Sequence, residues 1–205
     1  MGRIFERAEQ YLDQLDPGIY LEIGTSRDGD DGSTMTISAW AQDRQTHLIT
    51  VDFDPDTCRA VSARNLPNTQ VIHSTGEDYL YHRAYSERPI SFLYLDNFDW
   101  DWHPEKTEEF VLNQQLRYQN FGMEMTNVNS QRAHLMQAMY AVGHMSPRCL
   151  IVCDDTWYNP WWGHYSGKSG SAIPYLLGQG FEVLDTEEQP VYGTILGRGI
   201  KQKPA

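Results

Sequence analysis

Residues 18–41, GIYLEIGTSRDGDDGSTMTISAWA, restrict what this chain can fold into more than any other stretch. Ile19, Tyr20, Leu21 and Ile23 form a short apolar run without helical period, set between the Pro17-Gly18 turn signal and Gly24. That is the pattern of a strand buried on both faces of a parallel sheet. Gly24, Gly29 and Gly32 follow, and Ser33 and Thr34 then open a run with helical period through Met35, Ile37, Ala39 and Trp40, which reads as a helix with a Ser/Thr start. The unit is strand, glycine turn, helix. Such a turn lets a ligand approach the backbone and offers it the unpaired N–H groups of the helix start. Glu22 lies in the strand's end, where a carboxylate is costly unless something binds beside it. A second apolar run, 48–51, ends in Asp52, about 20 residues beyond the turn, where an acid that bonds ribose hydroxyls is expected. Together the two strand ends suit an adenosine-type ligand.

In Glu22-Ile23-Gly24-Thr25-Ser26, Gly32-Ser33-Thr34 and Asp52 the sequence resembles the class I S-adenosylmethionine (SAM) dependent methyltransferases. The resemblance implies SAM as cofactor, its methionine end at Glu22, Gly24, Thr25, Ser26, Gly32 and Ser33. Asp52 and Phe53 would hold the ribose, Thr75 and Gly76 the adenine, and Asp96 the cofactor's reactive side. The stretch Ser74-Thr75-Gly76-Glu77 reads equally as a helix start with acids in its first turn. The turn 27–31 is longer and more acidic than the family's; its acid spacing is not that of an EF-hand, and it reads as a solvated bulge.

Strand and helix patterns alternate beyond this unit: a helix to residue 43, strand 48–52, helix 55–64, strand 70–73, helix 77–84 and strand 90–96. That order gives right-handed crossovers and a mostly parallel, doubly wound α/β sheet with ligands at the carboxyl ends of its strands. An amphipathic helix over 3–15, with Ile4, Phe5, Ala8, Leu12 and Leu15 on one side, packs over the sheet or over a second copy of the chain. Residues 104–147 carry two helical patterns, 108–117 and 128–144, the second with Leu135, Met136, Met139, Tyr140 and Val142 as its apolar face. This is more than a crossover needs, so the insertion covers the site as a lid. A fifth strand, 149–153, is followed by an aromatic loop, a helix over 169–177 and a closing hairpin of 181–184 and 192–196. These complete the seven-stranded, Rossmann-like sheet of the resembled family, in a single domain over 1–205.

Twenty-eight acids stand against 16 Lys and Arg, a net charge of -12. Nucleic acid is therefore excluded as a partner, since phosphate binding needs a positive surface, and the acceptor is a small uncharged or cationic molecule. Cys58, Cys149 and Cys153 lack metal-finger spacing and imply no disulfide framework. With neither a signal peptide nor an apolar stretch long enough for a membrane, the expected location is the cytoplasm.

The fourth strand ends in Asp96 and the fifth in Asp154 and Asp155. Neighbouring strands lie about 5 Å apart, and three carboxylates brought together there cannot all stay ionised without a cation. Oxygen ligands of this kind favour Mg²⁺ or another hard divalent cation. Here the sequence resembles the metal-dependent O-methyltransferases, of the catechol type and of the type acting on sugar hydroxyls. The resemblance makes Asp96, Asp154 and Asp155 the metal ligands and an aromatic or sugar hydroxyl the methyl acceptor. Asp96 and Asp154 are then catalytic through the metal, which lowers the hydroxyl's pKa and holds it in line with the methyl group. Catechol-type enzymes have a lysine where this chain has Asp99, and the sugar type a histidine where it has Thr156, Trp157 and Tyr158. His103 is taken as the base, with His134, His144 and His164 as alternates.

Trp100, Trp102, Trp157, Trp161 and Trp162 lie in the loops after strands four and five, where they would wall a pocket for a ring or form a lid packed on itself. Gly167-Lys168-Ser169-Gly170 lacks the upstream glycine of a phosphate loop. Two rivals remain: a haloacid-dehalogenase-like phosphatase using Asp52 and Asp54, with Asp154-Asp155 as its metal pair, and a non-catalytic protein that only binds SAM. The first wants its nucleophile strand first in the fold and a lysine before the acid pair, whereas Lys168 follows it.

Overall fold

The computed structural model describes residues 3–26, 32–83, 87–101, 107–186 and 193–202. The acidic turn 27–31, Trp102, His103 and Pro104 lie outside them.

Seven strands form one sheet. They are β1 (Ile19–Ile23), β2 (Leu48–Asp52), β3 (Thr69–His73), β4 (Ile90–Leu95), β5 (Met145–Cys153), β8 (Glu182–Thr186) and β9 (Thr194–Arg198), in the order β3-β2-β1-β4-β5-β9-β8. All pairings from β3 to β5 are parallel, whereas β9 runs antiparallel to both β5 and β8. The expected doubly wound α/β sheet is therefore present, with its terminal hairpin folded so that β9 is the inner strand. β1 and β4 are buried along their whole length, as their unbroken apolar runs require.

Helices cover both faces. α1 (Arg3–Glu9) and α2 (Ser33–Asp43) lie on one side, where Ile4, Phe5, Ala8, Ile37 and Trp40 bury against Tyr20, Phe92, Tyr94 and Val152. The Phe5 ring sits 5.6 Å from Trp40 and 5.1 Å from Tyr94, so α1 packs over its own sheet. α3 (Pro55–Ser62) links β2 to β3. On the opposite face, α4 (Gly76–His82), α6 (Asn127–Ala141) and α7 (Ala172–Gly178) close over Leu21, Ile23, Leu93, Leu95 and Ile151.

The insertion divides into two unlike helices. α6 is a core crossover element, but its buried side is Ser130, Ala133, His134, Gln137, Ala138 and Ala141. Of the face expected from Leu135, Met136, Met139, Tyr140 and Val142, Tyr140 and Val142 pack against the core, Leu135 and Met136 are half-buried and Met139 is exposed. Small residues win the buried side because α6 passes close to its neighbours: a Cβ on Gly76 would already meet Gln137 Nε2 at 2.9 Å. α5 (Glu108–Asn120) instead buries only Tyr118. Among the described residues no helix is long and apolar enough to cross a membrane.

The aromatic loop after β5 contains a feature not expected from sequence. Thr156–Asn159 (β6) and His164–Gly167 (β7) pair as a separate two-stranded antiparallel ribbon.

Candidate functional site

Strand order reverses between β1 and β4, and ligands bind at the carboxyl ends on either side of such a switch point. The sheet ladder runs on past these ends: Gly24 N donates to Val51 O, Asp96 N to Ile23 O and Asp154 N to Leu95 O. The glycine turn and both acid positions therefore stand side by side.

A cleft of about 360 Å³ opens there. Gly24, Thr25, Ser26, Asp52, Phe53 and Asp96 line it, joined by Asn97, Phe98, Asp99 and, from α5, Phe110, Gln114 and Tyr118. Thr75 and Gly76 line a smaller adjoining recess that shares Asp52, Phe53, Asn97 and Phe98. Tyr118 holds α5 over the cleft, its ring 5.2 Å from Phe53 and 4.9 Å from Phe98 and its hydroxyl accepting from Asp99 N at 2.8 Å. Arg117 adds an ion pair to Asp54. Asp54 also caps α3 through Asp56 N at 2.8 Å, so both of its oxygens serve the fold and it is not free as a phosphatase acid.

Asp52 accepts from Thr25 N at 3.1 Å and Asp54 N at 2.8 Å, which fixes its carboxylate at the cleft's edge. Asn97 Oδ1 and Asp99 Oδ2 are buried and have no hydrogen-bond partner among the described residues. The polar side chains at this cleft are thus predominantly acceptors, suited to a ligand that brings hydroxyl, amino or cationic groups.

Glu22, Gly32 and Ser33 do not line the cleft. Glu22 is fully buried beneath it, where Oε1 accepts from Ser33 Oγ at 2.6 Å, and Oε2 from Thr34 Oγ1 at 2.7 Å and Thr50 Oγ1 at 2.6 Å. Its carboxylate answers the start of α2 and the β2 strand instead of a ligand. Thr34 Oγ1 in turn accepts from Ser26 N at 2.8 Å, so Glu22 shapes the glycine turn from below. Burial outweighs the three hydroxyl donors and pushes its pKa up to about 7.

The three acids after β4 and β5 do converge, as expected, but a cation from the chain already joins them. Lys168 Nζ lies 2.7 Å from Asp96 Oδ1 and 3.0 Å from Asp155 Oδ2, with its side chain 4% exposed. Burial works against the ammonium, yet Asp155, Asp96, Asp154 and Asp99 together outweigh it and hold Lys168 charged. For Asp154, desolvation and then the neighbouring Asp96 and Asp155 charges push the carboxyl well above the usual carboxylate range. The ammonium between Asp96 and Asp155 offsets the mutual repulsion that three clustered carboxylates would otherwise suffer. Asp155 adopts a left-handed conformation, φ 45°, to take up its place. Sequence reasoning missed this lysine; the only signal was a long cation amid Gly167, Ser169 and Gly170, buried by a turn whose partners lie far off in the chain.

Of the alternate bases, only His134 lies near enough to feel the charges of Lys168 and Asp155. His134 is buried and neutral, pushed down to about 3 chiefly by burial, with Nδ1 2.8 Å from Ser130 O. His144 lies near Arg83 and Glu87, away from the acids. His164 stacks on Trp162, ring centroids 5.7 Å apart.

A second, larger cavity of about 780 Å³ adjoins the acid cluster. Trp100, Trp157, Trp161, Trp162 and Tyr165 form its walls, with Asn127, Gln131 and His164 among its polar groups and, among the described residues, no Lys or Arg. Trp161 and Trp162 stand on the open lip, 91% and 72% exposed. Gly167 lines this cavity, and the next residue, Lys168, reaches Asp96 in the wall of the first. The ion pair therefore lies where the two spaces approach one another.

No protein-family model and no curated protein matches the sequence. Solved structures do match the fold. One from Streptococcus mutans, described as a methyltransferase in complex with SAH, superposes with a TM-score of 0.55 at 12% identity over 96% of this chain and 98% of that one. The O-methyltransferase NovP gives 0.57 at 9% identity, over 95% and 78%, and an rRNA methylase from Streptococcus thermophilus 0.50 at 11%, over 98% of each.

Proposed function

We propose, starting from the class I methyltransferase fold that the chain adopts, that it is a SAM-dependent methyltransferase acting on a hydroxyl of a small, ring-bearing molecule. The observation that carries the cofactor is the acceptor-rich lining of the first cleft. Asp52, Asn97 and Asp99 match the ribose hydroxyls and amino groups of SAM, and Asp96 gives its sulfonium a negative neighbour. Gly24, Thr25 and Ser26 bring backbone to the methionine end, and Thr75 and Gly76 bound the adenine recess.

The acceptor belongs in the tryptophan-walled cavity, with its hydroxyl turned towards the first cleft where the two spaces approach at the Asp96 and Lys168 pair. A nucleic-acid acceptor, as the rRNA methylase takes, needs a positive surface. A net charge of -12 and a wall that has no Lys or Arg among the described residues favour a small neutral or cationic ring instead. In the reaction, a lone pair on the acceptor oxygen forms the new bond to carbon as the carbon–sulfur bond breaks and its electrons stay on sulfur. Asp96, which lines the first cleft beside its ion pair with Lys168, is the carboxylate assigned in this reading to take the acceptor's proton. Catalysis is then mainly alignment.

The divalent ion expected from the acid trio does not fit these residues, because the Lys168 ammonium stands between Asp96 and Asp155. No step of the reaction runs through a metal here.

Calorimetry tests the cofactor. SAM and SAH are expected to bind one per chain, and Asp52→Ala to weaken both by about 10- to 100-fold through loss of charged hydrogen bonds. Asp52→Asn, which keeps one acceptor oxygen, should lose less. A folded chain that takes up neither compound at millimolar concentration would defeat the reading.

A further inference from the structure

Acids from two adjoining strand ends make a place for a positive charge, and which charge fills it decides what the protein needs from its surroundings. We propose that Lys168 permanently takes the position a divalent cation would occupy, so that the protein does its chemistry without a metal. Lys168 is in this sense a positioning residue, holding the ends of β4 and β5 in register through Asp96 and Asp155.

The lysine is anchored as well as paired. Its backbone N–H donates to Asp155 O at 3.0 Å, and Ser169 N donates to Thr156 Oγ1 at 3.0 Å. Gly167 has φ +89°, and a Cβ there would lie 1.9 Å from Asp155 O, so the end of β7 rests directly on the end of β5. The turn fixes the backbone from which the side chain reaches, and the two carboxylate contacts at 2.7 and 3.0 Å hold its ammonium. An incoming Mg²⁺ demands near-octahedral oxygen ligands at about 2.0–2.1 Å. Two of the carboxylates it would use are turned to the ammonium at 2.7 and 3.0 Å, and the ammonium repels it. Among the described residues no group of three His, Cys, Asp or Glu side chains is arranged to hold a metal.

Manganese titration followed by electron paramagnetic resonance tests this on the full chain without any acceptor. Wild-type protein is expected to leave Mn²⁺ free up to about 1 mM, the weak end of the range for protein oxygen sites. Lys168→Ala uncovers the acids and is expected to take up one ion per chain at least about tenfold more tightly, an uptake lost again when Asp155→Asn is added. Stoichiometric uptake by the wild type that Asp155→Asn removes would overturn the proposal, as would a folded Lys168→Ala variant that takes up none. Should that variant fail to fold, the wild-type titration decides alone. That methyl transfer itself proceeds without metal rests on the function proposed above; SAM turnover unchanged within about twofold by EDTA supports it, and a tenfold loss restored by Mg²⁺ overturns it. Failure of SAM to bind would remove the methyltransferase reading and leave the manganese result intact.

Discussion

Glu22→Ala is expected to lower the unfolding free energy by about 3–5 kcal/mol at pH 6, read from urea denaturation, although the residue touches no cleft. Each buried hydroxyl left without its acceptor costs about 1–3 kcal/mol, and Ser33, Thr34 and Thr50 all direct theirs at this carboxylate. The total falls short of three full penalties because Thr50 can still turn to Thr25, 2.6 Å away. The damage should spread to the turn, since Thr34 also receives Ser26 N.

The same group sets a pH dependence whose sign is opposite to that of a salt-bridged acid. Its folded pKa is raised from 4.5 to about 7, so between those values the folded chain keeps a proton that the unfolded chain has released. Stability from this group is therefore fully present below pH 4.5 and declines as pH rises towards 7, by about 3 kcal/mol in all. Glu22→Gln cannot ionise. Relative to wild type it should gain stability by up to that amount between pH 5 and 8, and parallel denaturation curves across that range would show Glu22 to be ionised throughout.

Glu22 also marks how far the sequence could be read. A carboxylate inside an apolar strand announces that something must answer it, but the answer comes from hydroxyls on α2 and β2, and composition alone does not distinguish a ligand from a neighbour. Strand ends were legible for a simpler reason. Parallel strands buried on both faces leave unbroken apolar runs, and Gly24, Asp52, Asp96 and Asp154 punctuate them where the chain leaves the sheet. The core side of α6 was only partly legible: Tyr140 and Val142 of the expected face pack on the core, but close packing gives the fully buried positions to Ala133, Ala138 and Ala141 over the larger Leu135 and Met136. The β6–β7 ribbon was hidden too: its strands are four residues each, too short for an alternation to declare itself. Their tryptophans nevertheless foretold the cavity they wall. Lys168 meets Asp96 across 72 residues of chain, and no local pattern records a contact of that kind.

Gly24→Ala should be the most damaging single methyl added to the first cleft. Gly24 sits at φ +101°, a conformation that L side chains rarely adopt, and its Cβ would lie 2.6 Å from Asn97 N and from the carbonyl carbon and oxygen of Asp96. Backbone strain of this kind costs about 1–3 kcal/mol, and overpacking against backbone that cannot rotate aside adds about as much again. The contact is relieved only if the ends of β1 and β4 part, which draws Asp96 away from Lys168 and widens the place where the cofactor meets the turn. The expected result is a loss of at least about 3 kcal/mol in stability and, in whatever still folds, SAM affinity reduced by about 100-fold or more. Gly178→Ala is the matched control: nothing lies within 4 Å of its added Cβ, and at the end of a helix alanine should be neutral or stabilise by a few tenths of a kcal/mol. If calorimetry found Gly24→Ala binding SAM as the wild type does, the ligand could not be lying against this turn, and the cofactor assignment would have to leave the β1–β4 switch point altogether.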